Sequence, residues 1–386
     1  MSRKLFPILT VFIALSMLLA ACGGGATTAE PAEPAEEPAA PAEPAEEPAE
    51  PAEPGDTEGP APAASQSGFG ETLATVQDRG FVICGGNANV PGFGFLDTEG
   101  NFSGFDIDFC KAVAAAVFGD ATKFEIRALS SQERFTALQS GEIDVLIRNT
   151  TWTLSRDTDL KTNFVHTTFY DGQGFIVRKA DGITTLEDLD GGTVCVQTGT
   201  TTEANLADTM AARGINYEPV VYEDVEVGWT TYEEGRCDAY TTDKSGLVAR
   251  QILLQVPDDH TILDETISKE PLGPVVRHGD DQWFDIVQWV VFATFFAEEH
   301  DITSENVDDI MASTTNPREM SFFGTEGELG AFLGLSSDWA YNVISQVGNY
   351  EEIYNRNLGP DTPTYIPRGL NSLYTDGGLL YAPAWR

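Results

Sequence analysis

Short apolar stretches alternate with amphipathic segments of helical period through most of the chain beyond residue 80. The stretches whose length and β-branched or aromatic content predict buried strands are 81–84, 124–127, 143–147, 193–196 and 220–222. The segments that predict helices are 109–118, 132–139 and one that follows 199–203 and ends near residue 212. Strands that alternate with helices are typical of βαβ units. We therefore predict an α/β protein whose sheets are mainly parallel and flanked by helices.

One part of this pattern occurs twice. Residues 232–240 match 138–145 in order, with a helix end, a glycine (Gly235 or Gly141) and the start of a strand. The repetition predicts two similar lobes, and a length of 386 residues also favours more than one folded unit.

Two segments have the extended, glycine-containing character of hinge strands, near 170–177 and near 270–276. The lobes that they separate are predicted to be lobe 1 (69–170 plus 275–386) and lobe 2 (175–269). After residue 282 the pattern turns helical, at 283–299 and 337–355, which predicts a helical C-terminal extension.

The N-terminus has the features of a lipoprotein signal. Arg3 and Lys4 precede an apolar run at 5–21, and Leu-Ala-Ala-Cys occupies 19–22. A charged start, an apolar run and small residues at a cleavage site are typical of secretory signals. A cysteine directly after the small residues resembles the lipobox of bacterial lipoproteins, so we predict a signal peptide at 1–22 and lipidation of Cys22. The alternative is an uncleaved anchor, although about 17 residues is at the short limit for a span.

Residues 23–68 have the composition of a tether. Repeats of Pro-Ala-Glu supply ten prolines and eleven acidic residues, without a basic residue or an apolar one larger than alanine. Such a segment cannot bury a core, and its prolines and like charges favour an extended chain. We predict a disordered spacer that holds the folded body off a surface, with an acidic binding tail as the alternative.

The acidic charge argues against one class of partner. The chain has 61 acidic and 22 basic residues, for a net charge of −39. Binding to nucleic acid requires a basic surface, so we predict no nucleic-acid partner. The charge does not identify a ligand, because the potential of a site can differ in sign from the mean.

Four cysteines besides Cys22 indicate disulfide bonds: Cys84, Cys110, Cys195 and Cys237. An oxidising compartment favours two disulfides. Of the three connectivities we favour Cys84–Cys110 and Cys195–Cys237, because each bond then lies within one lobe and leaves the hinge free. A zinc site is the alternative, although the chain lacks Cys-x-x-Cys spacing and nearby histidines. We predict no metal and no cofactor.

Residues 148–157, Arg-Asn-Thr-Thr-Trp-Thr-Leu-Ser-Arg-Asp, closely resemble the signature of the general L-amino acid class of polar amino acid-binding proteins. Residues 105–119, 193–202 and 235–243 are similar to that class as well, and the likeness covers nearly all of 71–386. The resemblance implies a monomeric, two-lobed periplasmic-binding-protein type II fold that closes on a free L-amino acid and docks to the membrane subunits of an ABC transporter. The family's members are often freely periplasmic. Here the lipobox implies a protein anchored at the outer face of the cytoplasmic membrane, or in the periplasm.

The resemblance also implies a ligand-binding site. Arg156 matches the family's carboxylate-binding arginine. Thr151 matches the residue whose hydroxyl and amide help to bind the same groups, and Asn149 matches a position that lines the site. Thr201 matches a residue that offers a hydroxyl and an amide from lobe 2, where a helix N-terminus suits an anion. Asp243 matches the aspartate that receives the ammonium group.

Each of these residues has a structural alternative. Arg156 would then pair with Asp157 on the surface. Thr201 would serve as a helix N-cap. Asp243 would cap a turn before 244–246.

Specificity is predicted from two further positions. Arg148 stands where narrower relatives carry small polar residues, and it would bind a side-chain carboxylate or amide, favouring Glu, Asp, Gln or Asn; the alternative is a structural ion pair. Phe93, with Phe95 nearby, lies in the loop where relatives place an aromatic ring over the ligand, and a core position is the alternative. Asp106 and Asp108 are predicted to start a helix.

Two other function classes remain as alternatives. Some dehydratases and lytic enzymes resemble this fold, but the four histidines, His166, His260, His278 and His300, lie in no recognisable nucleophile motif. We predict that the protein is not an enzyme. A receptor that only senses amino acids is the other alternative.

Overall fold

A computed structural model describes residues 70–386, so the predicted signal peptide at 1–22, its Cys22 and the tether at 23–68 lie outside the described residues. Residues 70–386 form two α/β lobes joined by a pair of strands, which confirms the predicted fold class. Among these residues, no helix is long and apolar enough to cross a membrane.

The elements follow one another from Glu71 to Leu358. The strands are β1 (Val82–Gly86), β2 (Asn89–Val90), β3 (Gly94–Leu96), β4 (Phe102–Ser103), β5 (Phe124–Ala128), β6 (Val145–Leu146), β7 (Thr162–Phe164), β8 (Phe169–Asp171), β9 (Gln173–Arg178), β10 (Thr193–Gln197), β11 (Glu218–Tyr222), β12 (Ala239–Asp243), β13 (His260–Ile262), β14 (Glu270–Leu272) and β15 (Val275–Arg277). The α-helices are α1 (Glu71–Arg79), α2 (Phe105–Phe118), α3 (Arg134–Ser140), α4 (Leu154–Thr158), α5 (Thr201–Arg213), α6 (Val225–Glu233), α7 (Lys244–Gln251), α8 (Asp281–Glu299), α9 (Val307–Ser313), α10 (Pro317–Phe322), α11 (Leu329–Leu333), α12 (Trp339–Val347) and α13 (Tyr350–Leu358).

Lobe 1 contains a five-stranded sheet in the order β5-β1-β6-β15-β7, and a small sheet, β2-β3-β4, lies beside it. β1 pairs in parallel with β5 and β6, whereas β15 is antiparallel to both of its neighbours. All five residues of β1 are buried. A strand covered on both faces is typical of sheets that lie between helical layers.

Lobe 2 repeats this arrangement. Its sheet has the order β11-β10-β12-β9-β13, with β10 parallel to β11 and β12, and with β9 antiparallel to β12 and β13. In each lobe four of the five strands therefore run in one direction. The sheets are mixed because the reversed strand, β9 or β15, is the one that enters each lobe from the connection.

The connection between the lobes is a two-stranded antiparallel sheet. Residue pairs such as Tyr170 with Pro271 join β8 to β14. These strands overlap the segments near 170–177 and 270–276 in which the sequence predicts a hinge. A short ribbon of two strands, one running from lobe 1 to lobe 2 and one running back, lets two rigid bodies rotate relative to each other.

The C-terminal region is helical and completes lobe 1. The long helix α8 buries Trp283, Val290 and Phe295 in the main core of this lobe. Helix α12 packs against α2 and α8, and α13 adds Tyr350 and Tyr354 to the same core. The helical extension predicted from residue 282 onward is thus part of the lobe 1 core.

Disulfide bonds join Cys84 to Cys110 and Cys195 to Cys237, the pairing that the sequence favours. The first fixes α2 to β1 within lobe 1, and the second fixes the segment before β12 to β10 within lobe 2. Neither bond crosses the hinge, so both leave the lobes free to move.

Candidate functional site

The lobes meet across a cleft at the carboxyl ends of their parallel strands, the usual position for ligands in α/β proteins. Within residues 70–386, three hydrogen bonds cross the cleft: Thr151 Oγ1 with Thr201 Oγ1 at 3.4 Å, Ser131 Oγ to Gln197 Oε1 at 3.1 Å, and Arg250 Nη1 to the Asn89 carbonyl at 2.9 Å. They enclose a cavity of about 80 Å³ that residues of both lobes line. The cleft is therefore in a closed form.

The segment after β6 supplies three of the predicted site residues, and all three line the cavity. Asn149 has a left-handed backbone, with φ at 38°. Its backbone N–H donates to Asp106 Oδ2 at 3.0 Å and its side-chain oxygen accepts from Asn87 Nδ2 at 2.7 Å. These bonds hold the turn that presents Thr151 to lobe 2. Asp106 is thereby a structural partner of this turn.

Arg148, also in this segment, is buried and makes no ion pair with another residue that the structure describes. Its Nε donates to the Leu129 carbonyl at 2.7 Å and its Nη1 to Ser131 Oγ at 3.3 Å. Burial lowers the pKa of Arg148 to about 10, and the nearby carboxylate of Asp106 opposes that change. The guanidinium is therefore charged at neutral pH, and it faces the cavity.

Arg156 lies directly behind Thr151. It is 8% exposed, so it is not a surface residue, and the structure gives it no ion pair with Asp157. Its Nη1 donates to the Thr151 carbonyl at 2.8 Å, and the guanidinium lies 5.3 Å from the ring centroid of Phe135. Burial lowers its pKa, whereas the charges of Glu270 and Asp243 oppose that change. In the closed cleft Arg156 is not among the residues that line the cavity.

Thr201 lies at the N-terminus of α5. The N-cap of this helix is Thr200, whose side chain accepts a hydrogen bond from the Glu203 N–H, so Thr201 does not have the capping role. The Thr201 hydroxyl donates to Glu270 Oε2 at 3.0 Å. The first N–H groups of a helix have no partner within the helix, so this terminus offers donors to an anion in the cavity.

Asp243 ends β12 and lines the cavity from lobe 2. It stands at the start of α7 but makes no side-chain capping bond, and its buried Oδ1 has no partner among residues 70–386. Burial, together with the nearby charges of Asp171 and Glu270, raises its pKa well above the usual value. A buried carboxylate without a partner is costly, and an ammonium group beside it would relieve that cost.

Phe93 does not line the cavity. Its ring is fully buried in the lobe 1 core, with its centroid 5.9 Å from that of Phe105 and 5.1 Å from that of Phe169. Gly92, directly before it, has a left-handed backbone with φ at 82°. Phe93 therefore occupies a core position in the closed structure, the alternative to the predicted contact with a ligand.

The aromatic side chains of the cavity come instead from lobe 2. Trp229 on α6 and Tyr240 on β12 both line it, stacked with their ring centroids 4.1 Å apart. No motif in the sequence distinguishes them from core aromatic residues.

Two further arginines line the cavity and were not predicted. Arg134, the first residue of α3, is 2% exposed, and its Nε has no partner among the described residues. Burial and the charges of Arg148 and Arg156 lower its pKa, and Asp243 opposes that change. Arg250, on α7, pairs with Glu226. Arginines on helices carry no local signal that separates them from surface charges.

The cavity thus has unpaired positive charge on the lobe 1 side and a carboxylate on the lobe 2 side. Arg134 and Arg148 line it from lobe 1, with Arg156 behind Thr151, and the Arg250 charge on lobe 2 is paired with Glu226. Asp243 belongs to lobe 2, and the nearby Asp171 and Glu270 belong to the connecting ribbon. Among residues 70–386, no group of histidine, cysteine and acidic side chains is placed to hold a metal ion. A small zwitterion has the charge distribution that this cavity complements.

Two α/β lobes that close on a charged cavity are typical of solute-binding proteins. The chain belongs to the bacterial extracellular solute-binding proteins, family 3, whose sequence pattern matches residues 82–315.

Similar proteins are known from several bacteria. The general L-amino acid-binding periplasmic protein AapJ of Rhizobium johnstonii is 54% identical over 82% of this chain and 93% of its own. The glutamate/glutamine/aspartate/asparagine-binding protein BztA of Rhodobacter capsulatus is 50% identical over 84% of this chain and 95% of its own. A solved structure, an ABC transporter periplasmic binding protein from Brucella ovis with glutathione bound, has a TM-score of 0.80 and 48% identity, covering 82% of this chain and 99% of that one.

Proposed function

We propose that this solute-binding protein captures free L-amino acids in the cleft and delivers them to the membrane subunits of an ABC importer. The observation that carries the proposal is the carboxylate of Asp243, whose Oδ1 is buried without a partner among residues 70–386 and which lies near a group of buried arginines. The α-ammonium of an amino acid would lie against Asp243. Its α-carboxylate would lie against Thr151 and the first N–H groups of α5, and Arg156, directly behind Thr151, would supply the positive charge that balances it.

The side chain of the ligand would extend toward Arg148 and Arg134. Both guanidinium groups line the cavity and are buried, where an interaction with a carboxylate or an amide oxygen is stronger than in water. We therefore propose a preference for Glu, Asp, Gln and Asn. The name of the 50% identical relative, a glutamate/glutamine/aspartate/asparagine-binding protein, supports this choice.

Lobe closure would be the working step. Ligand would bind lobe 1 first, through Arg156 and Thr151, and lobe 2 would then add Thr201 and Asp243. Closure is favoured because only the closed form makes both sets of contacts. The importer would recognise the closed shape, and the protein would not be an enzyme.

The N-terminal sequence completes the proposal. Lipid on Cys22 would hold the protein at the outer face of the cytoplasmic membrane or in the periplasm, and 23–68 would space the folded body from that membrane. The protein would act as a monomer. Labelling of cells with a radioactive fatty acid should mark the wild type and not Cys22→Ala; label retained in the variant would contradict the anchor.

Calorimetry of the purified protein, stripped of bound ligand, against the twenty common amino acids tests the main proposal. We expect binding of several L-amino acids, with the acidic and amide ones the tightest. The D-enantiomers are the control, since they cannot match three fixed groups on one carbon. A folded protein that binds none of the twenty would overturn the proposal.

A further inference from the structure

A second cavity adjoins the one that encloses the proposed amino acid site. It has a volume of about 390 Å³ and is more open to solvent than the inner one of about 80 Å³. The two cavities share four lining residues: Asn87, Arg148, Gln197 and Val225. A substituent on the ligand's side chain that passes Arg148 therefore enters this second space, which we call the outer cavity.

Arg148 stands in the wall between the two cavities. Two of its nitrogens are engaged, Nε with the Leu129 carbonyl and Nη1 with Ser131 Oγ, while Nη2 has no hydrogen-bond partner among residues 70–386. A guanidinium N–H can donate to any carbonyl oxygen, whether of a carboxylate, a primary amide or a substituted amide. Replacing a glutamine's side-chain N–H by a longer group thus leaves this contact intact.

Beyond Arg148 the outer cavity is acidic. Glu133, Glu223 and Asp224 line it, and Arg148 is the one basic residue among the described residues that do so. The carboxylate of Glu133 accepts from the Ser130 N–H, and that of Asp224 caps α6, so both are held in place. Such a wall favours groups that donate hydrogen bonds or carry positive charge, and it disfavours a second carboxylate.

We propose that the outer cavity admits γ-glutamyl compounds, in which the γ-carboxyl of glutamate is joined through an amide to an amine or a peptide. Neutral or cationic tails bind better there than anionic ones. This inference rests on the proposed function, because the α-carboxylate and α-ammonium groups must be held as they are in glutamate.

Calorimetry with stripped protein and four ligands tests this substrate class: glutamate, γ-glutamylethylamide, γ-glutamylputrescine and γ-glutamylglutamate. We expect the Kd of neutral γ-glutamylethylamide to lie within about tenfold of the Kd of glutamate. The Kd of γ-glutamylglutamate, whose tail is anionic, should be about tenfold or more above that of the ethylamide. Binding of glutamate without any binding of the ethylamide overturns this inference and leaves the proposed function standing. Failure to bind glutamate overturns both.

A matched pair of variants locates the tail. Ala128 lies at the exposed end of β5 and lines the outer cavity, so Ala128→Trp fills that space without touching the core. We expect this variant to bind γ-glutamylethylamide about tenfold or more weakly, and its Kd for glutamate to change by less than about twofold. Ala211→Trp, on an exposed position of α5, should change neither. If Ala128→Trp weakens the affinity for both ligands equally, or for neither, the tail does not lie in the outer cavity.

Discussion

The guanidinium of Arg250, on lobe 2, donates a 2.9 Å hydrogen bond to the backbone carbonyl of Asn89, on lobe 1. Glu226 holds the same guanidinium through two bonds, at 2.5 and 2.8 Å, and Arg250 lies 5.6 Å from the ring centroid of Trp229. The arginine is thus fixed on its own lobe before it reaches the other. It contributes to closure without depending on ligand.

Replacing Arg250 should therefore open the cleft. For Arg250→Gln we expect glutamate affinity to fall by about tenfold, because the closed form becomes less populated. Small-angle scattering should show a larger radius of gyration without ligand. Arg236→Gln is the control, since Arg236 is exposed and pairs only with Glu234. An unchanged radius and an unchanged Kd would rule out a latch at Arg250.

Asp243→Asn should change stability and affinity in opposite directions. The substitution removes a carboxyl group whose ionisation is disfavoured by desolvation and by the charges of Asp171 and Glu270, so the ligand-free variant should melt about 2 °C higher. It also removes the partner of the α-ammonium, so glutamate should bind about 100-fold more weakly. Thermal denaturation and calorimetry measure the two effects. Asp264→Asn, at an exposed position, should affect neither, and unchanged glutamate binding by Asp243→Asn would mean that the ammonium lies elsewhere.

Arg148→Ala should weaken the binding of glutamate more than that of leucine. The guanidinium meets the polar end of a glutamate side chain, which leucine lacks, so we expect about tenfold for glutamate and a smaller loss for leucine. Calorimetry with both ligands gives the ratio. Arg127→Ala, an exposed arginine that pairs with Glu125, is the matched control. Equal losses for the two ligands would remove Arg148 from the specificity determinants.

Ligand binding should release protons in mildly acidic solution. Burial raises the pKa of Asp171 from 3.8 to about 6 and that of Asp243 well above its usual value. The ligand-free folded state therefore holds more protons than the unfolded chain, and the stability that Asp171 contributes below pH 4 is lost as the pH rises through about 6, while Asp243 contributes a change of the same sign. A ligand ammonium favours the ionised form, so affinity should rise with pH over this range.

Calorimetry at pH 5.5 in two buffers of different ionisation enthalpy measures that proton release. The wild type should release part of a proton or more on binding glutamate, and Asp243→Asn should release less. Identical heats in the two buffers for the wild type would contradict the coupling.

The residues that follow strand ends could be predicted from the sequence. Asn149 and Thr151 follow β6, Thr201 follows β10 and Asp243 ends β12. The carboxyl ends of parallel strands meet at one edge of a sheet, so a pattern of strands and helices is enough to bring these residues to the same cleft. Their roles toward a ligand remain predictions.

The residues that reach the cavity from helices could not be predicted in this way. Arg134, Trp229 and Arg250 lie on α3, α6 and α7, and their place in the cavity depends on how one lobe closes on the other. Phe93 shows the converse. Its loop lies near the cleft, but its ring packs against Phe105 and Phe169 in the lobe 1 core, and no periodic pattern in the sequence predicts that direction.

The order of strands in lobe 1 has a consequence for the order in which the two lobes can fold. β15 lies between β6 and β7 in the sheet, although about a hundred residues, including all of lobe 2, separate it from β7 in the chain. As the chain emerges N-terminus first from the membrane that it crosses, β6 and β7 have no strand to join them until residue 277 appears, whereas lobe 2 has all five of its strands by Ile262. The inserted lobe can therefore complete its sheet first, and the lobe that begins the chain must wait for the rest of the chain to finish.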